Sequence, residues 1–65
     1  MKVLKTSEVL KALLADGWYV ATVKGSHRQL KHPVKTGKVT LNGKPSSDIY
    51  GMELKSVERQ SGLKF

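Results

Sequence analysis

Cysteine is absent from this chain of 65 residues. That excludes a disulfide framework and thiolate metal sites, and it fits a reducing compartment. Aromatics are scarce, with one Trp, one Phe and two Tyr, so the largest of them, Trp18, is expected in the core. No stretch approaches the roughly 18 consecutive apolar residues of a membrane span. The opening "MKVLKTSEVL" lacks the apolar run of roughly 7–15 residues that a secretory signal needs. A soluble cytoplasmic protein without membrane association is therefore expected. Acidic residues are the other shortage: five Asp and Glu stand against twelve Lys and Arg, for a net charge of +7 at pH 7. Such a surface attracts polyanions by electrostatic steering and by release of their condensed counterions. Size sets a further limit, because a chain this short buries only about 60% of its unfolded surface. One domain over residues 1–65 is expected, and any active site on it must be shallow and completed by a large substrate.

What is present resolves into five elements. "TSEVLKALLADGW" reads as a helix capped by Thr6 or Ser7, with Glu8 suited to the positive end of the dipole. Val9, Leu10, Leu13 and Leu14 form its apolar face. Gly17 is placed for the left-handed position past the helix end, with Trp18 folding back behind it. "WYVATVK" and "HRQLKH" read as two strands joined across Gly25-Ser26, and Pro33 ends the second. "GKVTLNG" is a short third strand and "GKPSSDIYG" a loop. "MELKSVERQSGL" is a second helix, with Leu54 and Val57 facing inward and Gly62-Leu63 as its stop signal. The class is α+β with the order α-β-β-β-α: a three-stranded antiparallel sheet with both helices on one face and the other face wet.

Strand parity then separates the two histidines. Leu30, the one strongly apolar residue of the second strand, must point at the helices, and Arg28 and His32 share its parity. His27, Gln29 and Lys31 share the open face. His27 and His32 therefore cannot act as a pair on one phosphate. His27 is the better candidate base, because it follows a Gly25-Ser26 turn whose amides can approach an anion. Lys24, Arg28 and Lys31 lie near it in sequence, suited to offsetting charge on a phosphorane-like transition state. The bland alternative is a solvated imidazole in a basic strand. His32, just before Pro33, reads as framework. Two histidines of opposite parity make a poor metal site, and Ser26 beside His27 is no triad. "GKPSSDIYG" is not a phosphate loop, although Lys44 within it can reach a phosphate. Trp18 and Tyr19 are candidates for base stacking, with Trp18 better explained as core.

"LLADGWYVATVKGSHRQLKHP", followed by "GKVTLNGKP" and "LKSVERQSGL", resembles the HicA family of toxin ribonucleases from HicAB toxin–antitoxin modules. The resemblance covers nearly the whole chain. It implies a double-stranded-RNA-binding-domain-like fold, an mRNA-cleaving activity and inhibition by a HicB-type antitoxin. The family's catalytic histidine falls on His27, and its preceding turn on Gly25 and Ser26. Departures from the family pattern are Arg28 where a second histidine is common, Thr22 where a basic residue is frequent, Lys44 where a histidine often stands, and Glu58 at a usually apolar place.

The reaction expected on that basis is cleavage of single-stranded RNA without metal or other cofactor. His27 takes the proton from a ribose 2′-OH that attacks the adjacent phosphate. Lys24, Gly25, Ser26, Arg28, Gln29, Lys31 and Lys44 are the expected substrate contacts. DNA lacks the 2′-OH and is not an expected target. The rival readings are a non-catalytic RNA-binding module of the same fold and a protein that only binds an acidic antitoxin. Asp48 and Glu53, at the start of the last helix where a duplex-binding domain needs cations, argue against duplex binding.

Overall fold

The computed structural model describes residues 2–65. The chain runs through β1 (Val3–Lys5), α1 (Thr6–Ala15), β2 (Tyr19–Lys24), β3 (His27–Lys31), β4 (Val39–Leu41), β5 (Asp48–Tyr50) and α2 (Gly51–Ser61). β2, β3 and β4 form the expected antiparallel sheet in that order. β1 and β5 add a separate antiparallel ribbon, in register at Val3–Tyr50, Leu4–Ile49 and Lys5–Asp48. Residues 48–50, read from sequence as loop, are therefore strand. Three residues are too few to show alternation, and the partner lies at the far end of the sequence. Ile49 is what the strand contributes, since its side chain is buried at the centre of the molecule.

The ends of α1 follow from hydrogen-bond supply. Its start is not capped by a Thr6 or Ser7 side chain. The backbone amides of Thr6 and Ser7 are instead satisfied by the carbonyls of Ser47 (2.8 Å) and Pro45 (3.0 Å). The Thr6 hydroxyl, fully buried, also donates to Ser47 O. Glu8 accepts from the Lys5 amide at 3.2 Å. The loop before β5 thus serves as the cap, because orphan amides at a helix start take any well-placed acceptor. At the other end, Gly17 N bonds Leu14 O and Trp18 N bonds Leu13 O. This is the Schellman pattern expected of Gly17, and Trp18 packs behind it in the core.

A single buried cluster holds the layers together: Val9 and Leu13 of α1, Trp18, Leu30 of β3, Val39 and Leu41 of β4, Ile49 of β5, and Leu54 and Val57 of α2. Each such side chain contributes about 1.5–3 kcal/mol on leaving water. Leu30 faces the helices as its parity requires. The opposite sheet face is left to solvent, and there the cross-strand rows are Lys24–His27, Thr22–Gln29–Thr40 and Tyr19–Lys31.

One irregularity decides what this open face carries. The β2–β3 register shifts between Val20 and Thr22, leaving Ala21 without a partner. Val20 lies opposite buried Leu30, whereas Thr22 and Lys24 lie opposite Gln29 and His27. Regular alternation would have put Val20, Thr22 and Lys24 on one side. The bulge at Ala21 sends Thr22 and Lys24 to the open face instead, beside His27.

Candidate active site

Lys24 and His27 pair directly across a two-residue turn of Gly25 and Ser26. Gly25 has φ of +57° and no other turn residue has positive φ, which is the pattern of a type II′ hairpin with glycine first. A Cβ at Gly25 would meet nothing within 4 Å. The turn's surface is therefore open to an approaching ligand, and the glycine is needed for its backbone angle alone.

His27 is held from the β4 side. Its Nδ1 lies 2.6 Å from Oδ1 of Asn42, the residue that follows β4. The next residue, Gly43, donates its amide to Ser26 O at 3.0 Å and accepts from Arg28 Nη1 at 3.0 Å. Two backbone-anchored bonds thus tie the end of β4 to the hairpin tip on both sides of His27. Thr22, Lys24, His27 and Gln29 line a shallow recess of about 260 Å³ on the open face.

Of the residues singled out from sequence, Lys24, Gly25, Ser26, His27 and Gln29 come together here. Arg28 does not join them. It lies on the helix side of β3, half-buried, with its guanidinium on the Gly43 carbonyl. Lys31 shares the open face but stands at the far end of β3 opposite Tyr19, four residues and roughly 13 Å along the strand. Lys44 directly follows Gly43, whose amide is bonded to the hairpin tip, so its backbone is carried close to the turn. Asn42 was missed by motif reading, and Thr22 stood out there only as a departure from the resembled family's pattern. "NG" at 42–43 signals a turn, but nothing local says that its side chain reaches a histidine fifteen residues earlier.

His32 is fully engaged elsewhere. Its Nε2 lies 2.8 Å from Asp16 O, and its Nδ1 accepts from the amides of Val34 and Lys35 at 3.0 Å each. The ring meets Trp18 edge-on at 5.2 Å between centroids. Beneath it, Asp16 accepts from Lys35 Nζ at 2.5 Å and from Trp18 Nε1 at 3.2 Å. The Lys35 hydrogen bond holds the Asp16 carboxyl below its ordinary value of 3.8, against partial desolvation and with lesser help from the Lys35 charge, Trp18 and His32. This cluster is framework, as expected of His32.

A larger hollow of about 750 Å³ runs along α2 and the C-terminal segment, between Met52, Arg59 and Leu63. Its lining holds Lys55, Arg59 and Lys64 but no imidazole, so it offers no general base for neutral pH. Among the described residues no three His, Asp or Glu side chains gather where they could hold a metal ion. No helix among them is long and apolar enough to cross a membrane.

The recess can therefore do one kind of chemistry well: a single imidazole, flanked by an ammonium and open to a flat polymeric anion, can take a proton from that substrate. No curated protein matches the chain in sequence. The family model described as the HicA toxin of bacterial toxin–antitoxin matches residues 6–63.

Proposed function

This chain belongs to the HicA toxin family of bacterial toxin–antitoxin systems, and from that premise we propose that it is an endoribonuclease that cleaves mRNA with His27 as general base. The observation that carries the proposal is the pairing of His27 with Lys24 in an open recess on a sheet face that no helix covers. A shallow face suits a single-stranded polymer, which brings its own bulk to the site. The row Tyr19–Lys31, further along the same face, extends it with an aromatic ring and a second cation, which suits stacked bases and phosphates.

In the proposed reaction His27 takes the proton of a ribose 2′-OH while that oxygen attacks the adjacent phosphorus. The bond to the 5′-oxygen breaks, leaving a 2′,3′-cyclic phosphate on one fragment and a 5′-OH on the other. The departing oxygen takes a proton from water, a lysine or the imidazolium just formed. Lys24 and the amides of Gly25 and Ser26 offset the charge that builds on the phosphoryl oxygens. No step uses a metal ion. Gln29 contacts the substrate from the recess wall, and Lys31 and Lys44 hold flanking phosphates. A HicB-type antitoxin is the proposed inhibitor, covering the recess with an acidic surface that competes with RNA for the net charge of +7.

The test is His27→Ala assayed on labelled mRNA, with and without EDTA. The variant should fold and bind RNA while kcat falls by about 10²–10⁴-fold, the range for loss of a positioned base. RNA bearing a 2′-deoxy sugar at the cleaved position should remain intact. Cleavage retained by the variant, or abolished by EDTA in the wild type, overturns the proposal.

A further inference from the structure

Asn42 has no role in any motif read from the sequence, yet its side-chain oxygen is 2.6 Å from Nδ1 of His27. A neutral imidazole has one N–H and one lone pair, and a side-chain amide oxygen only accepts hydrogen bonds. A contact this short therefore puts the proton on Nδ1 and leaves the lone pair on Nε2. That lone pair is what a general base uses. An unconstrained neutral imidazole in water favours the opposite tautomer, with its proton on Nε2 and no lone pair there. Asn42 is also held in place: Gly43, its neighbour, is bonded through its amide to Ser26 O and through its carbonyl to Arg28.

We propose that Asn42 is a positioning residue for the reaction. It accepts from Nδ1–H of His27, fixes the tautomer with Nε2 as the base, and steadies the imidazolium formed when Nε2 takes the 2′-hydroxyl proton. Arg28 serves the same end from the helix side, by holding the Gly43 carbonyl and through it the backbone that carries Asn42. The proposal rests on His27 being the base. The division of labour is the general one in which a third group orients the base and the base alone touches substrate. The proton count closes: one proton leaves the 2′-oxygen and arrives on Nε2, and the Nδ1 proton stays on its bond to Asn42 throughout.

The experiment reads the tautomer directly, by ring ¹⁵N–¹H correlation spectra of His27 in the full chain, and sets it beside kcat and KM for RNA cleavage. Wild type should show a protonated Nδ1 and an unprotonated Nε2 above the imidazole's titration. In Asn42→Leu, similar in size but without an acceptor, the proton should move to Nε2 and kcat should fall about 10- to 100-fold with KM little changed. Asn42→Asp keeps an acceptor and adds negative charge, which favours the imidazolium. It should retain the Nδ1–H form and most of kcat, with the acidic limb of the pH–rate profile displaced upward. A wild-type spectrum with the proton on Nε2 overturns the proposal, and so does an Asn42→Leu variant with unchanged tautomer and unchanged kcat. The wild-type spectrum needs no variant to fold. Should His27→Ala cleave at the wild-type rate while the spectra behave as stated, it is the assignment of His27 as base that fails.

Discussion

Two histidines five residues apart do different work because their ring nitrogens meet different partners. One nitrogen of His27 is engaged by Asn42 and the ring borders the open recess. Both nitrogens of His32 are committed to backbone groups, with Nε2 the donor to Asp16 O and Nδ1 the acceptor of two amides. The residue most constrained by this arrangement is Gly17. Its φ is +102°, and a Cβ there would lie 2.8 Å from His32 Nε2. Gly17→Ala must therefore bear backbone strain and also displace the imidazole from Asp16. We expect it to cost at least about 2 kcal/mol, which a urea melt would show as a lower midpoint with an unchanged slope. Activity per folded molecule should be preserved, because His27 is on the opposite face. A loss below about 0.5 kcal/mol, within the range of ordinary surface changes, would contradict this account. Thr22 makes the complementary prediction on the open face. It borders the recess, so Thr22→Lys should tighten binding to single-stranded RNA and steepen its salt dependence. An unchanged Kd at low and high salt would remove Thr22 from the binding surface.

At the scale of elements, the helices and the β2–β3 hairpin were legible because each announces itself over a long enough window, and the three residues of β4 because Gly37 and Gly43 set them off on either side. α1 shows a repeating apolar face closed by Gly17, and β2–β3 shows β-branched and aromatic residues around Gly25-Ser26. The place of His27 was legible too, since Leu30 alone sets the parity of β3. Three features were not. β1 and β5 are each three residues long and meet only through the fold. The bulge at Ala21 breaks the alternation that any strand reading assumes, so the face taken by Lys24 was beyond pattern. Asn42 reaches His27 through a β3–β4 pairing whose register depends on Leu30 opposing Val39. Ile49 tests the ribbon: Ile49→Ala should destabilise by about 2–5 kcal/mol, as for a buried large-to-small change, and should loosen the loop that caps α1. Amide exchange at Thr6 and Ser7 should accelerate with it, and unchanged protection there would separate the ribbon from the cap. Lys35 joins the end of α1 to the end of α2, bonding Asp16 Oδ2 and Ser61 O. Because Lys35 holds the folded-state carboxyl of Asp16 down, the stability it lends is present above the ordinary Asp value and is lost as pH falls through the lowered one. Lys35→Met should therefore show a shallower loss of stability than wild type between about pH 5 and pH 2. Parallel acid curves for the two proteins would count against the bond.

For the whole molecule the question is whether the net charge of +7 acts as a diffuse coat or as a track. Some of the cations are already spoken for: Lys5 pairs with Asp48 and Lys35 with Asp16. Lys55, Arg59 and Lys64 line the hollow on the α2 side. Lys24 and Lys31 stand on the open sheet face, and Lys44 follows the loop bonded to the hairpin tip. If RNA lies along that face, about three phosphates are neutralised, and the slope of log K against log salt is about −2 for a single strand. Affinity then falls roughly 20-fold between 50 and 200 mM salt by the same relation. A diffuse coat engaging most of the basic residues gives a far steeper dependence. The measurement is the Kd of an RNA made uncleavable by a 2′-deoxy sugar, followed over salt for wild type, Lys24→Ala and Lys64→Ala. The track requires Lys24→Ala to weaken binding and flatten the slope by about 0.7, with Lys64→Ala close to wild type. Equal losses in the two variants would show that position on the surface is irrelevant, and the open face would lose its claim to be the path of the substrate.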